Sequence, residues 1–497
     1  MHSCILTNNN IVNSISTVGI TLDNGRSIVW SDYLAINYQL LWWNTTTLDK
    51  QNEYIRGLGI ETVRVDVHWD QFEPTQGNRL YSQYDPLFAK LKGFKSLVNL
   101  VGTPRWASSY NQSVDGQWID TYPPANDTVY ADRLMGLAIR YPWVTHWEVW
   151  NEMNLIPYFW APHYNPSRYN QLFQACVSYF DQYGPMNSEP INSSSLAVGG
   201  FGYFSASSEN PSSLMINDLF PMGTFSNKVI SYHPYTNTPE GDFGQTPGDP
   251  YAFLATSQYI NLNLKIATPA QNRPSEVWAS EWGWSSFASG GFNQSIQSTY
   301  TIRRLLLDTL ANFNKTFIFA ISDLDARASS ERDQFYGLIN LQLEKKQVYV
   351  DLERLFNITG PVLYSAGDIT KILTINNNNN QLPSDLVTIV YKNANNQTLV
   401  ALWLSRNETN SPVNITITFV ETNVSGVYRT IVGQHTNTLM SGHSITLPVT
   451  SDVAIFSYPD QINDNSSDVP SIAIKNLHQP LLLLLLLLLF ISTILFF

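Results

Sequence analysis

What this 497-residue chain lacks narrows the field before any motif is read. It has two cysteines, Cys4 and Cys176, so no disulfide framework carries the fold and at most one bridge can form. Charge is sparse, with Asp, Glu, Lys and Arg making 14% of residues, and the formal net charge is −12. With no basic stripe to neutralise phosphates, nucleic acid is excluded as a partner. Met1 to Thr7, followed by three asparagines, shows neither a basic n-region nor an apolar h-region, so no secretory leader is visible.

Long apolar runs are missing until the end. After Pro480 the chain is LLLLLLLLLFISTILFF with no basic stop, preceded by a polar spacer with Lys475, Asn476 and His478 and by the short residues Asn465, Ser466, Ser467 and Asp468. That order is the signal for replacement by a glycolipid anchor; the other reading is a retained, rather short transmembrane tail. Either implies a membrane as partner and a place on the extracellular side of the cell surface. The missing leader is reconciled with this if the true start lies upstream. Twelve Asn-x-Ser/Thr sequons agree with that compartment: Asn44, Asn111, Asn126, Asn192, Asn293, Asn314, Asn357, Asn396, Asn407, Asn414, Asn423 and Asn465.

Aromatics are what the chain has in excess, 14 Trp and 26 Tyr among them. Most aromatic side chains in a large protein fill core, but two runs place them around acids. His146-Trp147-Glu148-Val149-Trp150-Asn151-Glu152-Met153-Asn154 reads as a strand that ends abruptly in Asn-Glu. Val277-Trp278-Ala279-Ser280-Glu281-Trp282-Gly283-Trp284 is a second β-prone run ending in an acid. Strand-end carboxylates at the C-terminal rim of a sheet are where barrel enzymes keep their chemistry. Two of them among flat, sugar-sized surfaces match the needs of acetal hydrolysis: a proton for the leaving oxygen and a negative group facing the anomeric carbon.

Between residues 31 and 358, strands alternate with helical stretches at the cadence of a (β/α)8 barrel. The expected strands include Ala35–Gln39, Glu61–Trp69, Ser96–Gly102, Leu196–Gly200, Lys228–Tyr235 and Thr316–Asp323. In the second of these, alternation sets Arg64, Asp66 and His68 on one side. Arg64 then either orients a catalytic carboxylate or pairs with Asp66. Glu152 suits the acid, its carboxyl held protonated by aromatic surroundings, and Glu281 the nucleophile. Tyr235 could donate to Glu281, and His233 could contact substrate or Glu152. From about residue 359 to 458, short alternating strands without helices suggest an antiparallel β-sandwich. Residues 1–30 form an extension with a possible strand of that sandwich, and 459–497 the spacer and anchor signal.

Trp147-Glu148-Val149-Trp150-Asn151-Glu152, Thr103-Pro104-Arg105-Trp106, His233-Pro234-Tyr235 and Ser280-Glu281-Trp282-Gly283-Trp284 together resemble the clan A retaining glycoside hydrolases, most closely family 39 and its endo-acting bacterial polysaccharide hydrolases. Arg64-Val65-Asp66 with Trp69 and Glu73-Pro74, and Phe335-Tyr336-Gly337-Leu338 with Lys346 and Tyr349, extend the similarity over residues 35 to 355. The resemblance implies Glu152 as acid/base, Glu281 as nucleophile, Asn151 as contact to the sugar 2-hydroxyl, double displacement with retention, no metal or other cofactor, and a β-sandwich beside the barrel. Two departures stand out. Met153 replaces the usual proline, and strand eight reads Ala320-Ile321-Ser322-Asp323 where clan members often carry a tryptophan beneath the sugar. The sugar platform is then expected from Trp282, Trp284 or Trp106. The substrate is a polysaccharide or glycoconjugate; an exo-acting β-xylosidase or iduronidase-like activity, and a non-catalytic glycan-binding surface protein, are the alternative readings.

Overall fold

Eight short runs of β-branched and aromatic residues, each followed by a polar turn, close into a parallel barrel. The computed structural model describes residues 19–110, 119–186, 191–210, 213–241, 249–290, 292–376, 382–405, 411–433 and 435–459. After β1 (Ser27–Val29) come the barrel strands β2 (Leu34–Asn37), β3 (Thr62–His68), β4 (Lys95–Val101), β5 (His146–Val149), β6 (Leu196–Gly202), β7 (Val229–His233), β8 (Glu276–Trp282) and β9 (Lys315–Ile318). The ring closes where β2 pairs with β9, Ala35 opposite Phe317. These strands are buried along nearly their whole length, as parallel strands covered by helices must be.

The outer helices begin on asparagine. Asn44, Asn126, Asn165 and Asn293 cap Thr45–Gly57, Asp127–Arg140, Pro166–Tyr183 and Gln294–Leu310, each side chain accepting a hydrogen bond from a first-turn backbone N–H. A further helix, Ala252–Ile266, lies between β7 and β8, in a stretch whose mixed polarity suggested no helix in the sequence.

Beyond the barrel, β10 (Val362–Ser365), β11 (Leu373–Asn376), β12 (Leu386–Asn393), β13 (Thr398–Leu404), β14 (Val413–Phe419), β15 (Val424–Thr430), β16 (Asn437–Gly442), β17 (Ser444–Val449) and β18 (Ala454–Tyr458) build the antiparallel sandwich. One sheet has the order β1-β10-β12-β13-β18-β15-β16 and the other β11-β14-β17. The N-terminal extension therefore joins the sandwich, as expected, with Ser27 opposite Tyr364. β16 escaped sequence reading because it is an edge strand without a buried residue, so no apolar alternation marks it.

Barrel and sandwich share buried polar contacts. Arg303, fully buried, pairs with Glu240 and donates to the Ser405 carbonyl at 2.9 Å, while Trp403 Nε1 donates to Glu240 at 2.8 Å. Cys176 is a buried free thiol, and Cys4 lies outside the described residues. Among the described residues no helix is long and apolar enough to cross a membrane. The leucine-rich tail lies outside them.

Candidate active site

The site forms at the C-terminal ends of the barrel strands, with Arg64 at its centre. Arg64 has almost no exposure, so every donor of its fork must find an acceptor inside the protein. Nε and Nη2 both bond Glu148 Oε2, at 3.0 and 2.8 Å, and Nη2 also reaches Asn151 Oδ1 at 2.8 Å. Nη1 bonds Asn37 Oδ1 at 3.2 Å and Glu281 Oε2 at 3.0 Å, and lies 3.1 Å from Asp66 Oδ1. Arg64 thus pairs with both Asp66 and Glu281. Burial opposes its charge, but Glu148, Asp66 and Glu281 overcome that and raise its pKa.

Glu281 projects from β8 and takes a second donor, the Tyr235 hydroxyl, at 2.8 Å on Oε1. Burial pushes its carboxyl above the usual range, with His233 and Arg64 pulling the other way. Glu152 sits just past β5 on a backbone forced left-handed: φ is +73° at Trp150 and +45° at Glu152. Such conformations cost about 1–3 kcal/mol each and persist where the surroundings over-determine them. Here Trp150 donates from Nε1 to the Phe159 carbonyl at 2.7 Å, and Glu152 N–H bonds the Gly200 carbonyl at 2.8 Å. Glu152 is only 8% exposed, and its Oε1 lies 2.7 Å from His233 Nδ1.

His233 has no exposed surface, and of its two expected contacts it makes the one to Glu152, with Glu281 Oε2 3.8 Å from the same nitrogen. Burial works against its charge, yet Glu281 and the bond to Glu152 raise its pKa above the ordinary imidazole value. One oxygen each of Glu152 and Glu281 and one nitrogen of His233 lie within 4.8 Å of one another, the one such cluster of potential metal ligands among the described residues. As a metal site the set is poor. Arg64 places a fixed positive charge on Glu281, and both oxygens of Glu281 already accept hydrogen bonds.

The aromatic platforms need correcting. Trp282 is 0% exposed with Nε1 bonded to Thr316, and Trp284 is buried with Nε1 on the Asn237 carbonyl, so neither offers a face to a sugar. Trp106 is half-buried, bonded to the Glu73 carbonyl and edge-on to Trp69, where it packs its own loop. Strand eight ends earlier than expected, at Ile318, and the half-buried aromatic that follows it is Phe319, edge-to-face with Tyr336 at 5.5 Å. Tyr336 feels Glu281, and burial pushes its phenol up to about 12.

Four contributors had no assigned role in the sequence reading. Glu148 anchors Arg64 and accepts a very short bond from Ser231 Oγ; it was visible two residues before Trp150 but reads as ordinary inward alternation. Asn37 links Arg64 to the Ser280 carbonyl, 3.0 Å from its Nδ2. Gly200, φ +72°, lies where a β-carbon would come within 3.2 Å of Asn151 Oδ1 and 3.3 Å of His233 Nε2. Tyr203 begins three successive left-handed residues, Tyr203, Phe204 and Ser205, just after β6. Phe204 turns in against Phe253 and Ser205 is buried, while Tyr203 stays 43% exposed beside the site, its pKa raised by burial and by Glu152. No sequence signal marks such a turn.

No family model matches the sequence, and no curated protein matches it. Solved structures do. A family 39 glycoside hydrolase from the gut symbiont Bacteroides cellulosilyticus superposes with a TM-score of 0.62 at 17% identity, covering 87% of this chain and 82% of that one. The chain has the fold of a clan A glycoside hydrolase. A monomeric β-xylosidase from Caulobacter crescentus matches with a TM-score of 0.57 at 14% identity over 88% of this chain and 98% of its own. A family 30 endoxylanase from Clostridium papyrosolvens gives 0.51 at 13%, over 90% and 100%. Barrel and sandwich are both included in this likeness, since each alignment covers most of both chains.

Proposed function

We propose that the protein is a retaining β-glycosidase that acts on a cell-surface or extracellular polysaccharide or glycoconjugate. The observation that carries this reading is the approach of Glu152 and Glu281 to within 4.8 Å. Retaining enzymes hold their carboxyl groups about 5–5.5 Å apart, whereas inversion needs about 6.5–9.5 Å to admit a water between them.

In the first step a Glu281 oxygen attacks the anomeric carbon as the bond to the leaving oxygen breaks, and Glu152 gives that oxygen its proton. In the second, Glu152 takes a proton from water, whose oxygen displaces Glu281. Tyr235 and Arg64 bond the two Glu281 oxygens and so favour its departure as carboxylate. His233 holds Glu152 from behind. Arg64 occupies Asn151 Oδ1, which leaves the Asn151 Nδ2 donors for a sugar hydroxyl.

The xylosidase and xylanase neighbours suggest where a substrate panel should begin: aryl β-xylosides and glucosides, then xylan and soluble β-glucans. Turnover with a β-configured first product, absent in Glu152→Gln and Glu281→Gln, supports the reading. An α-configured product overturns retention, and glycan binding without turnover, unchanged in both variants, turns the protein into a surface lectin. We further propose extracellular surface placement through the apolar tail. It is supported by the nine sequon asparagines among the described residues, all of them exposed. Release from cells by a phospholipase specific for glycolipid anchors tests it, and retention after that treatment favours a transmembrane tail.

A further inference from the structure

We infer that Asp66 selects the sugar: one oxygen of its carboxylate accepts a ring hydroxyl of the sugar that Glu281 attacks, which commits the site to a neutral glycone with that hydroxyl free. The inference deepens the glycosidase reading above and rests on it. Arg64, Asp66 and His68 share the inward face of β3, since Arg64 reaches across the barrel to Glu148 and Glu281 while Val63, Val65 and Val67 lie in the core beneath the helices. Along that face the protein opens to solvent in step. The Arg64 side chain is closed off, that of Asp66 is 38% exposed and His68 is exposed. On this strand, Asp66 is thus the first side chain above Arg64 that a ligand entering the barrel mouth can touch.

The two oxygens of Asp66 have different surroundings. Oδ1 is shut away from solvent, 3.1 Å from Arg64 Nη1, so the exposure belongs to the other half of the group, where Oδ2 lies. The fork of Arg64 also sorts the site. Nη2 bonds Asn151, the neighbour of Glu152, whereas Nη1 meets both Glu281 and Asp66. Asp66 therefore stands on the nucleophile's side, across one guanidinium nitrogen from Glu281. Its charge is felt there: burial, and with it Glu152 and Asp66, push the Glu281 carboxyl up against the pull of His233 and Arg64. The ring under attack occupies that side, because the nucleophile faces the anomeric carbon and the acid faces the leaving oxygen. Charge balance does not call for Asp66, since Glu148 and Glu281 already set two carboxylates on one guanidinium. What a carboxylate paired with Arg64 offers is acceptors alone, and the ring hydroxyls of a sugar are donors. A hydroxyl bonds a charged oxygen about twice as strongly as a neutral one. A carboxylate on the sugar would instead meet like charge from Asp66 and Glu281, and the Arg64 donors are already engaged with Glu148, Asn37, Asn151 and Glu281.

The test crosses the residue with the hydroxyls of the substrate, using the full chain. Wild type, Asp66→Asn and Asp66→Ala are compared in kcat/KM on the aryl β-glycoside, single sugar or oligosaccharide, that the wild type cleaves best. The same is done with the forms of it that lack one free hydroxyl of the attacked ring, the 2-hydroxyl apart, and a thermal melt accompanies each variant. The intrinsic effect of a missing hydroxyl on acetal cleavage is common to the three proteins and cancels. We expect the loss of one particular hydroxyl to cost the wild type about ten- to a hundredfold and to cost Asp66→Ala almost nothing further. Asp66→Asn, which keeps an oxygen for Arg64 without the charge, should fall between. A drop by one common factor on the parent and on every deoxygenated form would show that Asp66 only steadies Arg64; it overturns the inference and leaves the glycosidase reading standing. So does an aryl uronide cleaved faster than its neutral parent, or a wild type that cleaves every deoxygenated form as fast as the parent, a result that needs no variant to fold. A wild type that cleaves no β-glycoside overturns both.

Discussion

The barrel rim and the sandwich core solve opposite problems. In the sandwich, a core of residues such as Leu373, Val390, Leu402, Ile417 and Leu447 is apolar throughout, and among the described residues no charged side chain is buried from Val362 onward. At the barrel rim, Arg64, Glu148, Glu152 and His233 are all buried within one connected network that includes Glu281. The sandwich gains stability from each contact independently. The rim holds charges that cost several kcal/mol each to desolvate, tolerable only because every one has a partner. Stability at the rim therefore depends on completeness.

Breaking each region separately should expose this contrast. The largest effect on activity is expected from Glu281→Gln, which should lose at least about 10⁴-fold in kcat while the fold survives, read from aryl β-glycoside hydrolysis beside a thermal melt. Glu152→Gln should lose about 10²–10⁴-fold with poor leaving groups and much less with activated ones, which need no proton.

The sharpest comparison pairs Arg64→Ala with Leu402→Ala. Both should destabilise strongly, by about 3–5 kcal/mol for the orphaned buried carboxylates and about 2–5 kcal/mol for the sandwich cavity. Only Arg64→Ala should also abolish turnover at temperatures where both variants are folded. Equal activity loss in both would show that the two regions are energetically one. Tyr235→Phe removes one bond to a charged oxygen and should cost about 1.5–3 kcal/mol in kcat, roughly ten- to a hundredfold, with little change in melting temperature.

The smallest effect is on pH dependence. His233 and Glu281 are both raised, so between their unfolded and folded values the native state binds more protons than the unfolded chain, and stability falls as pH rises. The His233 contribution is present below about pH 6.5 and is lost as pH passes its raised value; that of Glu281 begins to fade above about pH 4.5. Melting curves of Glu281→Gln and His233→Phe should each flatten this slope, whereas Leu402→Ala should leave it unchanged.

How legible each region was follows from the same contrast. The sandwich could be read from alternation, as at Ser444–Val449, because burial on one face is a period-two property of the chain itself. Its misses were an unburied edge and two short strands: β16 has no buried face, and β11 and β10 are only four residues each. At the rim, Glu152 and Glu281 stood out as acids ending aromatic strands, and the contact from Tyr235 to Glu281 was expected from its place on the adjacent strand. What alternation could not reveal is which way a strand-end residue turns. Trp282 follows Glu281 directly and is fully inside, although its neighbourhood suggested a sugar surface.

From the sequence alone came the succession of the barrel strands, the two strand-end carboxylates and the change to helix-free alternation near residue 360, because periodicity and strand-end chemistry are local properties of the chain. Tertiary structure alone decided that Arg64 ties Glu148, Asn151 and Glu281 together, that of its two expected contacts His233 makes the one to Glu152, that a β-carbon at Gly200 would crowd Asn151 and His233, and that Tyr203 is exposed while Trp282 is not. Those facts arise where strands far apart in sequence converge at the mouth of a closed barrel, and no local pattern encodes the distances between them.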